Sequence, residues 1–207
     1  MTIDEFIRKL ENIQNTARLI NPYQNELQRK NLKTYLEYFN NLSIDKSPRC
    51  LLVAEAPGKN GCAKTGIPFT DEFHIKYAGK LGCDPLKSFN EENVLAENRN
   101  NPTEEDAARD VWRELVKNSF FPLLWNIVPF HPQNNIDPTK EEIKKYAHLV
   151  DDLRSIFPTI KTVVAIGRNA EYGLKFNESY FIYVPYPKYK GLSIFKEKIR
   201  DLAIRFR

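Results

Sequence analysis

Cysteine is scarce in this 207-residue sequence, with only Cys50, Cys62 and Cys83. Three residues so far apart cannot build a disulfide framework. They include no CxxC pair of the kind that holds zinc or an iron-sulfur cluster, so free thiols are expected. A Pro/Gly/Ser-rich linker and low-complexity tracts are also missing, and the chain is long enough to bury one substantial core. One domain over residues 1–207 is therefore expected, with residues 1–48 forming an N-terminal helical extension packed on it. No apolar run reaches the length that crosses a bilayer. The opening MTIDEFIRKL has neither the basic start nor the apolar middle of a secretion signal, which makes a cytoplasmic protein the expectation. A large charge of either sign is absent too. Lys and Arg number 31 against 27 Asp and Glu, a net charge of +4. So weak an excess permits a nucleic acid partner only through local clustering of basic residues.

The residues that are present alternate between two periodicities. Phe6, Ile7, Leu10 and Ile13 recur at helical spacing between Ile3 and Ile20, and Leu27, Leu32, Tyr35 and Leu36 repeat the pattern from Asn25 to Asn40. Two N-terminal helices follow from this. The continuous apolar run Cys50 to Ala54, closed by Pro57-Gly58, reads as a buried parallel strand feeding a loop. The polar, Asn-rich stretch from Asp84 to Asn101 reads as surface loop. Thr103 with Asp106 and Thr139 with Glu142 make capping-box patterns, the first opening a helix through Trp112 and Leu115, the second a helix through Leu149 to about Ile156. FFPLLWNIVPFHP, TVVAIG (Thr162 to Gly167) and YFIYVPYP read as three further strands. Ser193 to Arg205 reads as a last helix with Ile194, Phe195, Ile199 and Leu202 facing inward. Strands alternating with helices predict a three-layer α/β/α sandwich with a mainly parallel central sheet, and place binding groups at the carboxyl ends of the strands.

Three loops lie at those ends: AEAPG to PFTDE, WNIVPFHPQNN, and VPYPKYKG. In order and spacing they resemble the uracil-DNA glycosylase superfamily from about Cys50 to Lys198. APGKNGCAKTGIPFT is similar to the family's first motif in its Ala-Pro-containing and single-strand-selective branches. Asn126 with Pro132 and Asn134 resembles the strand that ends in a uracil-reading Asn, and VVAIGRNAE the strand and helix start behind the active site. The resemblance implies DNA with uracil or a damaged base as partner, hydrolysis of the N-glycosidic bond of a flipped base, no cofactor or metal, and a monomer.

Elementary chemistry agrees with that implication. Excising a base requires a pocket that stacks on its face and reads its edge. Phe69 supplies a face, and the Asn126 carboxamide offers an acceptor and donors for the N3 and O4 side of uracil. The amides around Ala56, Pro57 and Gly58 come close to base and sugar because Gly58 has no side chain. Cleavage builds positive charge on the sugar and negative charge on the base, which calls for a carboxylate with a water and for oriented donors. The position before the motif's Pro is Ala56, which carries no functional group. Glu72, just after Pro-Phe-Thr, falls where one Ala-bearing branch is understood to hold its acid, and Glu55 falls where the iron-sulfur branch has a Glu. Glu72 is preferred, then Glu55, then Asp71. The late loop, which in the family carries His-Pro-Ser, here reads Tyr186, Pro187 and Lys188. Tyr186 donates a hydrogen bond but is never cationic, so weakened, altered or lost activity is expected without the His; His131, on the same rim, is a second donor to weigh. Lys188 and Lys190, with Gly191, are expected to hold DNA phosphate. The cluster positions of the iron-sulfur branches read VPFHP and KKYAH here, so no iron-sulfur cluster is expected.

Overall fold

The structure, a computed structural model, describes residues 1–177 and 180–206, and at residue 135 the backbone alone. The end of the expected domain at 207 lies outside the described residues. Thr2 and Glu5 form a capping box that starts helix α1 (Ile3–Glu11), which buries Phe6, Ile7 and Leu10. This helix is shorter than its periodicity suggests. The Asn21 amide donates to the carbonyls of Leu10 and Ile13, taking up acceptors at the helix end, and the chain turns back into strand β1 (Leu19–Ile20). Helix α2 (Glu26–Asn40) buries Leu32, Tyr35, Leu36 and Phe39. Strand β2 (Cys50–Ala54) is buried along its whole length, as an interior parallel strand should be.

Two helices follow the first long loop, α3 (Cys62–Thr65) and α4 (Glu72–Leu81), the second capped by Asp71. The segment from Asp84 to Asn101 is not a plain surface loop. It contains three short 3-10 turns and buries Leu86, Phe89 and Val94, and Asn93 donates to Asn31 inside the protein. Helix α5 (Asp106–Lys117) begins at Glu105, without the Thr103 capping box. The Thr103 hydroxyl instead accepts from Lys64 Nζ.

Strand β3 (Leu123–Asn126) covers only the middle of the expected FFPLLWNIVPFHP strand. The chain leaves the sheet after Asn126, and β4 (His131–Pro132) pairs antiparallel with β1. Thr139 and Glu142 do form their capping box at α6 (Lys140–Tyr146), but the helix is interrupted before α7 (Leu149–Ile156). The His148 ring bonds the Lys145 carbonyl, which an unbroken helix would have paired with the Leu149 amide. Then come β5 (Thr162–Ile166), α8 (Arg168–Phe176), β6 (Phe181–Val184) and α9 (Gly191–Phe206). Helix α9 buries Phe195, Ile199 and Leu202, whereas Ile194, expected inside, is exposed.

The four longer strands make one parallel sheet in the order β3-β2-β5-β6, flanked by helices in an α/β/α arrangement. Helix α8 lies on β5 and β2, while α9 lies on β6 and α5. The N-terminal helices cover the β3 edge. Tyr35 Oη on α2 accepts from the Leu124 amide, and Phe6 on α1 packs its ring 5.4 Å from that of Trp125. An edge amide is thereby satisfied and hidden. Register decides what the sheet presents at its far end: Ala54 lies opposite Asn126, and Val53 opposite Ala165. The loops leaving β2, β3 and β5 therefore emerge side by side.

Candidate active site

At that end a cavity of about 300 Å³ is lined by Glu55, Ala56, Pro57, Gly58, Phe69, Glu105, Asn126, His131 and Tyr186, among others. The expected base-binding residues Ala56, Pro57, Gly58, Phe69 and Asn126 are thus brought together, with Glu55 and Tyr186. Asn126 ends β3 and is 2 % exposed. Its Nδ2 donates to Cys62 Sγ at 3.6 Å, and among the described residues no donor reaches its Oδ1. The oxygen opens on the cavity, where a ligand can donate to it.

Phe69 is buried and takes a left-handed backbone conformation, φ +55°. A non-glycine residue held there stores on the order of 1 kcal/mol and persists only where its surroundings over-determine it. They do so here. Thr70 donates from its amide to Ile67 and from its hydroxyl to Pro68, Thr65 Oγ1 donates to the Thr70 carbonyl at 2.7 Å, and Trp112 Nε1 donates to Thr70 Oγ1. The ring is pinned at the cavity wall.

Three acids were candidates, and the structure separates them. Glu72 is fully buried at the start of α4, outside the cavity lining. Its carboxylate accepts from the Leu95 amide and twice from Asn98 Nδ2, with Lys64 Nζ at 3.9 Å. It ties the 84–101 segment to α4. Asp71 is equally buried, capping His74 through Oδ1 and accepting the Glu105 amide through Oδ2. Only Glu55 faces the cavity. Burial raises its pKa above the usual carboxylate value, a hydrogen bond from Asn169 at the head of α8 opposes that rise, and Asp137 adds to it.

Tyr186 also borders the cavity, its hydroxyl pushed up to about 12, first by burial and then by the charges of Glu105 and Glu55. It stays a neutral donor across physiological pH. His131, read from sequence as the lesser candidate, lies in the lining, and its Nδ1 contacts the Pro57 carbonyl at 2.9 Å. A carbonyl only accepts, so Nδ1 carries the proton and Nε2 is the acceptor of the neutral ring.

Gly58 approaches a partner different from the expected one. A Cβ there would stand 2.2 Å from Glu105 Oε1, so the bare backbone makes room for a side chain of α5's cap. Sequence reasoning missed Glu105, because it lies far along the chain from the motifs; the two small residues Gly58 and Gly61 facing it were the available signal. Gly191 likewise serves its own chain, since a Cβ would stand 2.4 Å from the Tyr186 carbonyl. Lys188 and Lys190 follow Tyr186 in the chain, are exposed and form no ion pair among the described residues, and Lys188 Nζ lies 5.4 Å from the Tyr189 ring centre. Among the described residues no group of three His, Cys, Asp or Glu side chains is placed to hold a metal ion, and Cys50, Cys62 and Cys83 are buried free thiols.

Among solved structures the chain is similar to Pedobacter heparinus SMUG2, with a TM-score of 0.64 over 98 % of this chain and 97 % of that one, at 15 % sequence identity. The two chains share one fold, a parallel sheet between layers of helices. In that fold the cavity lies at the carboxyl ends of the strands, the place where open α/β sheets bind ligands. No family model matches the sequence, and no curated protein matches it. No helix among the described residues is long and apolar enough to cross a membrane.

Proposed function

We propose that the protein is a DNA base-excision glycosylase that hydrolyses the N-glycosidic bond of uracil or a related deaminated base turned out of the strand. The observation that carries this reading is the convergence of Phe69, Asn126 and Glu55 on one cavity of the glycosylase fold. Phe69 stacks on the base and Asn126 reads its edge with its carbonyl oxygen and the Nδ2 hydrogen that Cys62 leaves free. Glu55, ionised, stands on the sugar side and orients water. The water oxygen bonds C1′, the C1′–N bond breaks, its electron pair leaves with the base, and the water's proton passes to Glu55. Lys188 and Lys190 hold backbone phosphate.

A second reading is favoured by Tyr186, which stands where the resemblance leads one to expect a His: a pocket that binds the base without turnover. Losing one preorganised donor in such a site costs roughly 100 to 1,000 fold in rate. The deciding experiment is alkali-developed strand cleavage of single- and double-stranded oligonucleotides carrying one uracil, hypoxanthine, xanthine or hydroxymethyluracil. Cleavage that collapses in Asn126→Ala supports the glycosylase. If every substrate stays intact while base-dependent DNA binding disappears in Asn126→Ala, the second reading holds and the first is overturned.

A further inference from the structure

Glu105 has no part in the steps above, yet its placement is fixed through both its backbone and its side chain. Its amide is held by Asp71 Oδ2 at 2.7 Å, which turns the side chain back over the first loop. There its two carboxyl oxygens lie against two glycines: a Cβ on Gly58 would stand 2.2 Å from Oε1, and one on Gly61 2.2 Å from Oε2. The loop vacates space for this one group. Among the described residues no donor reaches either oxygen and no Lys or Arg pairs with them, although the carboxyl borders the cavity.

The neighbours of Glu105 place it at the base end of the pocket. Cys62 Sγ accepts from Asn126 and also feels the charge of Glu105. Glu55, by contrast, accepts a hydrogen bond from Asn169 and lies beside the carboxyl group of Asp137. The charged and titratable groups that face Glu105 are Asp71 at the cap of α4, Asp106 on α5, Cys62 on α3 and Tyr186 after β6. Lys59 and His131 share the lining without pairing with it. Burial, and then the charges of Asp71 and Asp106, raise its pKa above the usual carboxylate value. An ionised carboxylate beside Asn126 would repel a departing base anion, whereas a neutral carboxyl would stabilise it.

We propose that Glu105 contacts the bound base and, in its neutral acid form, donates a hydrogen bond to a base carbonyl oxygen, which selects bases carrying carbonyl groups where their parents carry amino groups. This rests on the reading of the cavity as a base pocket. Glu105 shares with Tyr186 the donor role that a cationic His would otherwise fill, and the negative charge left on the base when the C1′–N bond breaks falls on the oxygen it holds.

The test is single-turnover excision of uracil from an oligonucleotide between pH 5 and 9 by wild type, Glu105→Gln, Glu105→Ala and, as control, Glu104→Gln. Glu105 makes no side-chain cap to α5, so these variants should fold. The expected wild-type rate declines on the alkaline side. Glu105→Ala loses about 100 to 1,000 fold, as for other preorganised donors. Glu105→Gln, whose amide still donates, recovers at least ten-fold of that loss and has no alkaline decline. The Glu104 control matches wild type. Excision by wild type with Glu105→Ala unchanged in rate and pH profile overturns this inference and leaves the glycosylase standing. Should wild type excise nothing, free uracil titrated into the same proteins decides: binding that weakens with rising pH and is lost in Glu105→Ala supports the inference without the glycosylase. Uracil binding indifferent to Glu105, or undetectable, overturns it.

Discussion

Glu55→Gln separates a catalytic acid from a structural one, because its effects on rate and on stability should have opposite signs. A carboxylate about 4 Å from the sugar cation, at an effective dielectric near 20, is worth about 4 kcal/mol. That corresponds to roughly a thousand-fold in rate. The amide of Gln keeps the shape and a hydrogen bond with Asn169 but supplies no charge and takes no proton, so single-turnover excision should fall by about that factor. Stability moves the other way. Burial holds the pKa of Glu55 above its unfolded value, so the folded state binds the proton more tightly than the unfolded one. Ionising Glu55 in the folded protein therefore costs stability above that raised pKa, and the cost vanishes below the ordinary value of 4.5. At pH 8 Glu55→Gln should thus melt higher than wild type, and at pH 4 the difference should disappear. The wild-type rate, requiring the ionised acid, should climb with pH through the raised pKa. A variant that keeps the wild-type rate, or that loses rate and melting temperature together at pH 8, would refute the assignment.

Glu72→Gln tests the other acid: removing the charge that Leu95 and Asn98 bond should cost about 1 to 3 kcal/mol in urea denaturation while the rate per folded molecule holds. A thousand-fold rate loss in a fully folded Glu72→Gln would return the catalytic role to it. Tyr186→His should raise the excision rate by about ten-fold or more at pH 6, where an imidazolium can form, with a smaller gain at pH 8; a rate unchanged at both pH values would remove the base-anion role from this position. Lys188→Ala with Lys190→Ala should weaken single-stranded DNA binding uniformly across sequences and reduce the salt slope by about 0.7 per lost contact, measured by fluorescence anisotropy between 50 and 200 mM salt. An unaltered slope would exclude both lysines from the DNA path.

Local patterning determined much of this protein. The all-apolar run Cys50 to Ala54 became an interior strand and Thr139 with Glu142 opened a helix, because both signals rest on neighbours in sequence. The capping box at Thr103 failed for the converse reason: Lys64, 39 residues away in the chain, takes its hydroxyl. The same division runs through the site. Motif order put forward Phe69 and Asn126 as base-binding candidates and Glu55 as the second of three acids, and all three line the cavity, since each lies at the end of a strand or in the loop after one, and the parallel register carries such positions to one place. The choice among the three acids was beyond sequence, because Glu55 and Glu72 differ only in what surrounds them: Glu72 is enclosed by the 84–101 segment, Glu55 opens on the cavity. Glu105 and His131 join the site through contacts with Gly58 and Pro57 made across long stretches of chain. Sequence determines which side chains a strand end presents; only the folded chain decides which of them remain open to a ligand, because desolvation and hydrogen bonding are set by whatever packs alongside.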